Sequence, residues 1–182
     1  SNKPLQLEYV KLQLSLKSLI KNRIVSSNIQ AATKSLPLKD LVQFIRATNN
    51  KPELFILEKS VKKGHIILEF NLNIDDSGKI KKDYQIKGII KDAKISLFNK
   101  VKSENINFNF NLKQDNYSLK KINFKVEKVN FISEKINIVK IKKILLIDGT
   151  VKNNNSSLSS NILKLLKLNF ANIDIDEVKF NT

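Results

Sequence analysis

The residues that could carry out chemistry are few, and their spacing does not suit catalysis. His65 is the only histidine, and a hydrolase would pair it with a carboxylate and a serine. Glu69 falls on the same side of a predicted strand, but four strand residues span about 13 Å, too far for a hydrogen bond. We therefore interpret His65 as a solvated side chain and predict that the chain is not an enzyme.

Metal and phosphate sites are also not expected. Asp75 and Asp76 could form half of a calcium loop, but the Asp-x-Asp-x-Asp-Gly spacing does not follow. The segment 75–79 is instead typical of a turn in which Gly78 adopts a positive φ. The four glycines form no phosphate-binding loop, and without cysteine no thiolate ligand is available. We expect no metal and no cofactor.

The composition is strongly basic but otherwise that of a folded chain. The 182 residues carry a formal net charge of +16, and 41% of them are hydrophobic. Only Arg23 and Arg46 are arginines among the 33 basic residues. Lys, Asn and Ile share AT-rich codons, so the charge alone does not indicate an anionic partner, although such a charge still attracts anionic surfaces. No apolar run is long enough for a membrane-spanning helix.

Apolar residues alternate with polar residues along most of the chain, which predicts β-strands with one apolar face. The clearest runs are residues 64–74, 84–97, 106–112 and 117–141. A change of phase between Tyr9 and Val10 predicts a bulge in a first strand that continues to Leu16, and Gly88 inside a strand indicates a bulge or a close backbone approach. Lys and Asn side chains occupy the opposite face.

Two short helices interrupt the strands. The apolar residues of segment 38–47 recur at the spacing of one helical face, and a second helix is predicted at about 158–166, before a last strand. Segment 53–60 fits a helix or a strand equally well. The predicted fold is mainly β, with long antiparallel strands in a strongly twisted, curled open sheet (a β-taco or groove) and the two helices covering an edge or end. We treat residues 1–182 as a single segment of a larger repetitive protein, because the chain begins and stops within strand-like sequence.

The apolar face could be buried in a closed core or left open as a groove. A closed sandwich core is the common outcome. Long strands, which reach about 33 Å in ten residues, favour instead a groove left open to an apolar ligand. Because each buried methylene contributes about 0.8 kcal/mol, a 16-carbon acyl chain could gain on the order of 10 kcal/mol without any specific polar contact. Lysines at the rim could then meet phosphate head groups.

Several short motifs resemble the AsmA-like proteins of the YhdP and TamB class. They are the runs at 38–46, 52–57, 76–80, 84–93 and 148–153. The 84–93 run, YQIKGIIKDA, is similar to a strand motif of that family. Together the motifs cover most of residues 5–153.

The resemblance implies a periplasmic segment of an inner-membrane-anchored protein of a Gram-negative bacterium, which moves phospholipid toward the outer membrane through an apolar groove. It implies no catalytic residues. The expected partners are phospholipid or another acyl-chain lipid, with membranes contacted through regions outside this segment. By analogy the groove lining comprises Ile66, Leu68, Phe70, Leu72, Ile86, Ile95, Leu97, Ile106, Phe108, Phe110, Leu112, Ile122, Phe124 and Val126.

Two rival functions stay open. The first is a basic β domain that binds nucleic acid or another polyanion, and a basic patch gathered on one face would favour it. Nucleic acid is not expected, because arginine is scarce, the lysines are spread along every strand, and aromatics such as Phe108 and Phe124 share the apolar phase. The second is a structural, adhesin-like β-repeat, which a tightly packed closed core would favour.

Overall fold

The structure, a computed structural model, describes residues 6–49, 51–97, 101–126, 129–142 and 144–153. Strand accounts for 63% of this part of the chain. The elements, in chain order, are β1 (Leu7–Gln13), α1 (Leu16–Lys21), β2 (Ser27–Thr33), β3 (Leu36–Pro37), α2 (Leu38–Thr48), α3 (Pro52–Ser60), β4 (Val61–Ile74), β5 (Gln85–Leu97), β6 (Val101–Lys113), β7 (Asn116–Val126), β8 (Val129–Ile141), β9 (Ile144–Gly149) and β10 (Lys152–Asn153).

The strands form one open antiparallel sheet, which confirms the predicted fold class. Within the described residues its order is β1-β2-β4-β5-β6-β7-β8-β10, with β3 beside β4 and β9 beside β8. The sheet has ten strands and does not close into a barrel. From β4 to β9 every strand pairs with the next one in the chain. This meander follows from the short turns between alternating runs.

One irregularity in each of four consecutive strands shapes the middle of the sheet. Gly64, Asp92, Asn105 and Lys121 have positive φ inside β4, β5, β6 and β7, and the pairing register shifts beside each of them. A bulge adds a residue to one strand and increases the local right-handed twist. Four neighbouring bulges are therefore expected to add to the twist of the sheet at this end.

The first strand is shorter than the alternation predicts. A register shift between Leu7 and Tyr9 confirms the irregularity, but β1 ends at Gln13, so the prediction of a strand up to Leu16 is wrong. The reason is local: Ser15 adopts an extended conformation and its side chain accepts a hydrogen bond from Ser18 N. This N-cap begins α1, which the alternation of leucines concealed.

The helix predicted at 38–47 is confirmed as α2, which spans residues 38–48. Segment 53–60 is helical, since α3 covers residues 52–60 with Pro52 in its first turn. The predicted helix at about 158–166 and the strand after it lie outside the described residues.

The main hydrophobic core lies between α2 and the apolar face at one end of the sheet. Leu38, Leu41 and Val42 of the helix are buried with residues of β4 and β5, among them Ile66 and Ala93. A smaller cluster joins β7 and β8 around Val129 and Phe131. The core therefore covers one end of the apolar face, on the side of the bulges.

Candidate functional site

A continuous row of apolar residues crosses the sheet on one face. Directly paired residues of an antiparallel sheet lie on the same side, so the register identifies the row. With strands about 4.8 Å apart, eight strands make it about 34 Å long. Its members, each paired with the next, are Val10, Ala31, Phe70, Ile86, Leu112, Tyr117, Ile138 and Ile147.

Most of the predicted groove lining lies on this face and keeps partial contact with solvent. Each of the following side chains is half-buried: Phe70, Leu72, Ile86, Ile95, Ile106, Phe108, Phe110, Leu112, Phe124 and Val126. Leu97 ends β5, where its backbone pairs with that of Val101. An apolar face in this intermediate state is neither a sealed core nor a solvated surface.

Three predicted lining residues are buried. Ile66 and Leu68 belong to the core beneath α2, where each is about 5% exposed or less. Ile122 is buried near the bulge of β7. Ile66 and Leu68 therefore anchor the helix, and Phe70, which packs against this core, begins the half-buried part of the face.

Gly88 and the aromatic residues give the open part of the face its shape. A Cβ atom at Gly88 would lie 2.4 Å from Cζ of Phe110 and 2.5 Å from the carbonyl oxygen of Ile67. The Phe110 ring therefore lies directly over the glycine backbone, which confirms the predicted close approach. The Phe108 ring lies 6.2 Å from that of Phe110, tilted by 59°. The two rings form a compact aromatic floor at the centre of the face.

The opposite face is polar, as predicted, and hydrogen bonds between side chains cross its strands. Asn28 Nδ2 donates to Asn71 Oδ1 (2.6 Å) and to Asn73 Oδ1 (2.7 Å). Further along, Gln85 Nε2 donates to Asn111 Oδ1 (2.8 Å). Because a slip of one residue would exchange the two faces, these amide bonds help to hold the register that keeps the apolar row together.

The polar face also carries a cavity of about 450 Å³ that the sequence analysis missed. Lys120 and Lys135 pair directly across β7 and β8, which places their Cβ atoms about 5 Å apart. Nearby, the Ser118 hydroxyl is buried without a hydrogen-bond partner among the described residues. The lining comprises Ile67, Glu69, Lys87, Gly88, Ile89, Asn109, Phe110, Asn111, Ser118, Lys120, Lys135 and Asn137. Only the strand register, which the sequence does not show, reveals this gathering of lysines.

The candidate chemical residues lie apart from one another, His65 in β4 and Asp75 in the turn that follows it. His65 is exposed, with Pro37 and Lys91 as its neighbours across β3 and β5. Asp75 accepts hydrogen bonds from Ser77 Oγ (2.7 Å) and from the backbone N–H groups of Ser77 (2.8 Å) and Lys79 (3.0 Å). These bonds, led by that from the Ser77 side chain, hold the pKa of Asp75 below its ordinary value. Asp75 is thus a turn former, as predicted.

Within the described residues, no group of three or more His, Cys, Asp or Glu side chains is placed to hold a metal ion. None of the helices in that part of the chain has the length and hydropathy to cross a bilayer. Comparisons with protein-family models, curated proteins and solved structures returned no match. The AsmA-like resemblance therefore stays a prediction from short motifs.

Proposed function

We propose that this chain is a non-enzymatic lipid-handling segment that holds acyl chains against its apolar face during phospholipid transport between the inner and outer membranes. The observation that supports this proposal best is the unbroken apolar row across eight strands of an open sheet. By the AsmA-like resemblance, the segment would lie in the periplasm and belong to a protein anchored in the inner membrane.

The chemistry of the row suits an acyl chain better than a ligand with a specific shape. Its side chains are aliphatic or aromatic, so they stabilise hydrocarbon through burial alone, at about 0.8 kcal/mol per methylene. Similar side chains recur at every strand, and a lipid displaced by one strand would therefore meet much the same surface. Such an even surface allows movement along the row without a deep binding minimum.

Two strands at the edges of the described sheet, β1 and β9, support the proposal that the segment belongs to a longer sheet. In β1 the large apolar residues are all exposed, as are the four consecutive apolar residues of β9 from Ile144 to Ile147. Edge strands of a self-contained domain normally carry charges or other protection against pairing. We infer that neighbouring strands of a larger groove pair at these edges and extend the apolar row.

Two substitutions in one strand test the apolar face directly. Phe108 belongs to that face and Asn109, the next residue of β6, lines the cavity on the polar face. We expect Phe108→Asp to abolish the phospholipid that co-purifies with the chain in the absence of detergent, because a carboxylate on an apolar surface is costly. Asn109→Asp adds the same charge and should leave the lipid in place.

Lipid extracted from equal amounts of each folded variant provides the measurement, with circular dichroism as the check on folding. Equal loss of lipid in both variants would contradict the proposal. So would a folded Phe108→Asp chain that retains its lipid.

A second candidate function is polyanion binding on the polar face. The observation that favours it is the cavity that gathers Lys87, Lys120 and Lys135, with Glu69 as its one carboxylate. Like charges paired across strands are unfavourable unless an anion lies between them.

A phosphocellulose or nucleic-acid column tests this candidate. Diffuse charge alone predicts elution at moderate salt, with little change in the Lys120→Gln/Lys135→Gln variant. Elution of the unmodified chain at high salt, lost in that variant but kept in Lys11→Gln/Lys17→Gln, would favour a polyanion site. That second pair removes the same charge far from the cavity.

A further inference from the structure

The short helix α1 has its polar and apolar sides reversed relative to an ordinary surface helix. Ser18 faces the protein and is 4% exposed. Leu16, Leu19 and Ile20, at positions i, i+3 and i+4 of one helical face, are 79%, 63% and 85% exposed. A helix on a water-facing surface would bury these three side chains and expose the serine.

Polar contacts fix this reversed orientation. Ser18 Oγ lies 2.9 Å from Ser27 Oγ, accepts a hydrogen bond from Val25 N (2.8 Å) and donates to the Val25 carbonyl oxygen. On the other side, Lys17 forms an ion pair with Asp76 in the turn between β4 and β5. The helix therefore cannot roll to bury its apolar side without breaking buried hydrogen bonds.

The segment that carries the exposed side is basic, although Lys17 is paired with Asp76. Segment 14–26 contains Lys17, Lys21 and Arg23 and no acidic residue. Leu14 and Ile24, on either side of the helix, are also exposed. Protruding apolar side chains among cations are the pattern of a segment that lies in the interface of a membrane with anionic lipids.

We propose that α1 and its flanks, segment 14–24, insert shallowly into the surface of an anionic bilayer. Ile20 and Leu16, the two most exposed side chains, project from the protein surface. The fluid acyl region of a bilayer can surround projecting side chains of this kind. A specific protein interface usually needs about 800 Å² per partner with complementary shape, more than one six-residue helix offers. This membrane contact lies within the segment itself and does not depend on the apolar face of the sheet holding lipid.

The chain has no tryptophan, so a single introduced one reports on its own surroundings. We expect Ile20→Trp to shift its emission to shorter wavelength with vesicles of phosphatidylcholine and phosphatidylglycerol, and much less with phosphatidylcholine alone. Phe55→Trp, at an exposed position of α3 outside the apolar row, is the matched reporter and should not shift. Equal shifts at both positions, or none at Ile20→Trp, would overturn the proposal.

Flotation with the same anionic vesicles tests the side chains themselves. The variant Leu16→Ser/Leu19→Ser/Ile20→Ser should fold, because the three side chains are exposed, and should lower the bound fraction by roughly tenfold or more. The control Phe55→Ser/Ile56→Ser/Leu57→Ser removes three exposed apolar side chains of α3, outside the apolar row, and should float as the unmodified chain does. Equal loss in both would indicate general adhesion and refute the proposal.

Two further variants separate this inference from its alternatives. Phe108→Asp should still float, so a failure of the lipid-holding face would leave the α1 result intact. Lys21→Gln/Arg23→Gln should weaken flotation on anionic vesicles. If the α1 triple variant elutes in size-exclusion chromatography with a smaller apparent mass than the unmodified chain, and floats equally well, then α1 is a protein interface. That result would overturn the membrane proposal.

Discussion

Gly88 sets the distance between the sheet backbone and the Phe110 ring on the apolar face. A methyl group at this position would overlap the ring and also the Ile67 carbonyl oxygen, which cannot rotate away. The sequence indicated the position, because a glycine inside an alternating strand marks a bulge or a close approach. It did not show which residue approaches, since that depends on the pairing of Gly88 with Phe110 across β5 and β6.

Gly88→Ala should destabilise the protein by about 1–3 kcal/mol through overpacking, despite the entropy that alanine saves in the unfolded chain. Urea denaturation measures the change. Phe110→Leu should lower the free energy of unfolding less in the Gly88→Ala variant than in the unmodified chain, because the smaller side chain relieves part of the overlap. Strictly additive effects would show that the ring does not lie over the glycine.

Asp75 makes the turn between β4 and β5 sensitive to acid. Hydrogen bonds from Ser77 and Lys79 hold its pKa below the ordinary value of 3.8, so the folded state stabilises the ionised form. This stabilisation is complete above pH 3.8 and is lost as the pH falls through the lower pKa of the folded state. Asp75→Asn removes the titrating group, and its unfolding free energy should fall less steeply below pH 3.8. Parallel pH profiles for both chains would contradict this assignment.

The helices differ in how far the sequence predicts them. Helix α2 was predictable because Leu38, Leu41, Val42 and Ile45 recur at the spacing of one helical face. In α3 the apolar residues of segment 54–57 are consecutive, so no period distinguishes helix from strand, and Pro52 was the signal that could have decided it. Helix α1 was not predicted because its leucines continue the alternation of β1. Ser15 caps the helix only in a particular backbone conformation, which the sequence does not reveal.

The alternation of apolar and polar residues did not predict these bulges either. Asp92 and Asn105 belong to residue types that tolerate positive φ, but many Asp and Asn residues of this chain do not adopt it. Lys121 has no such preference and adopts positive φ as the bulged residue of β7. The positions of the bulges therefore follow from contacts between strands and not from the residue types at the bulges alone.

At the scale of the whole molecule, the two-residue period was enough to predict an open antiparallel sheet and to sort side chains onto its two faces. It could not show that α2 covers Ile66 and Leu68, because the position of the helix depends on how the chain returns over β4. Nor could it place Lys120 opposite Lys135, since these residues are distant in the chain and meet only through register. A basic cavity and an apolar row thus lie on opposite sides of one sheet.

The central claim is that hydrocarbon lies along the apolar row. Native mass spectrometry of the unmodified chain, purified without detergent, tests it most directly. We expect a population that is heavier by the mass of one or more phospholipids, absent from Phe108→Asp and retained in Asn109→Asp. A spectrum of the unmodified chain that contains only its bare mass would contradict it.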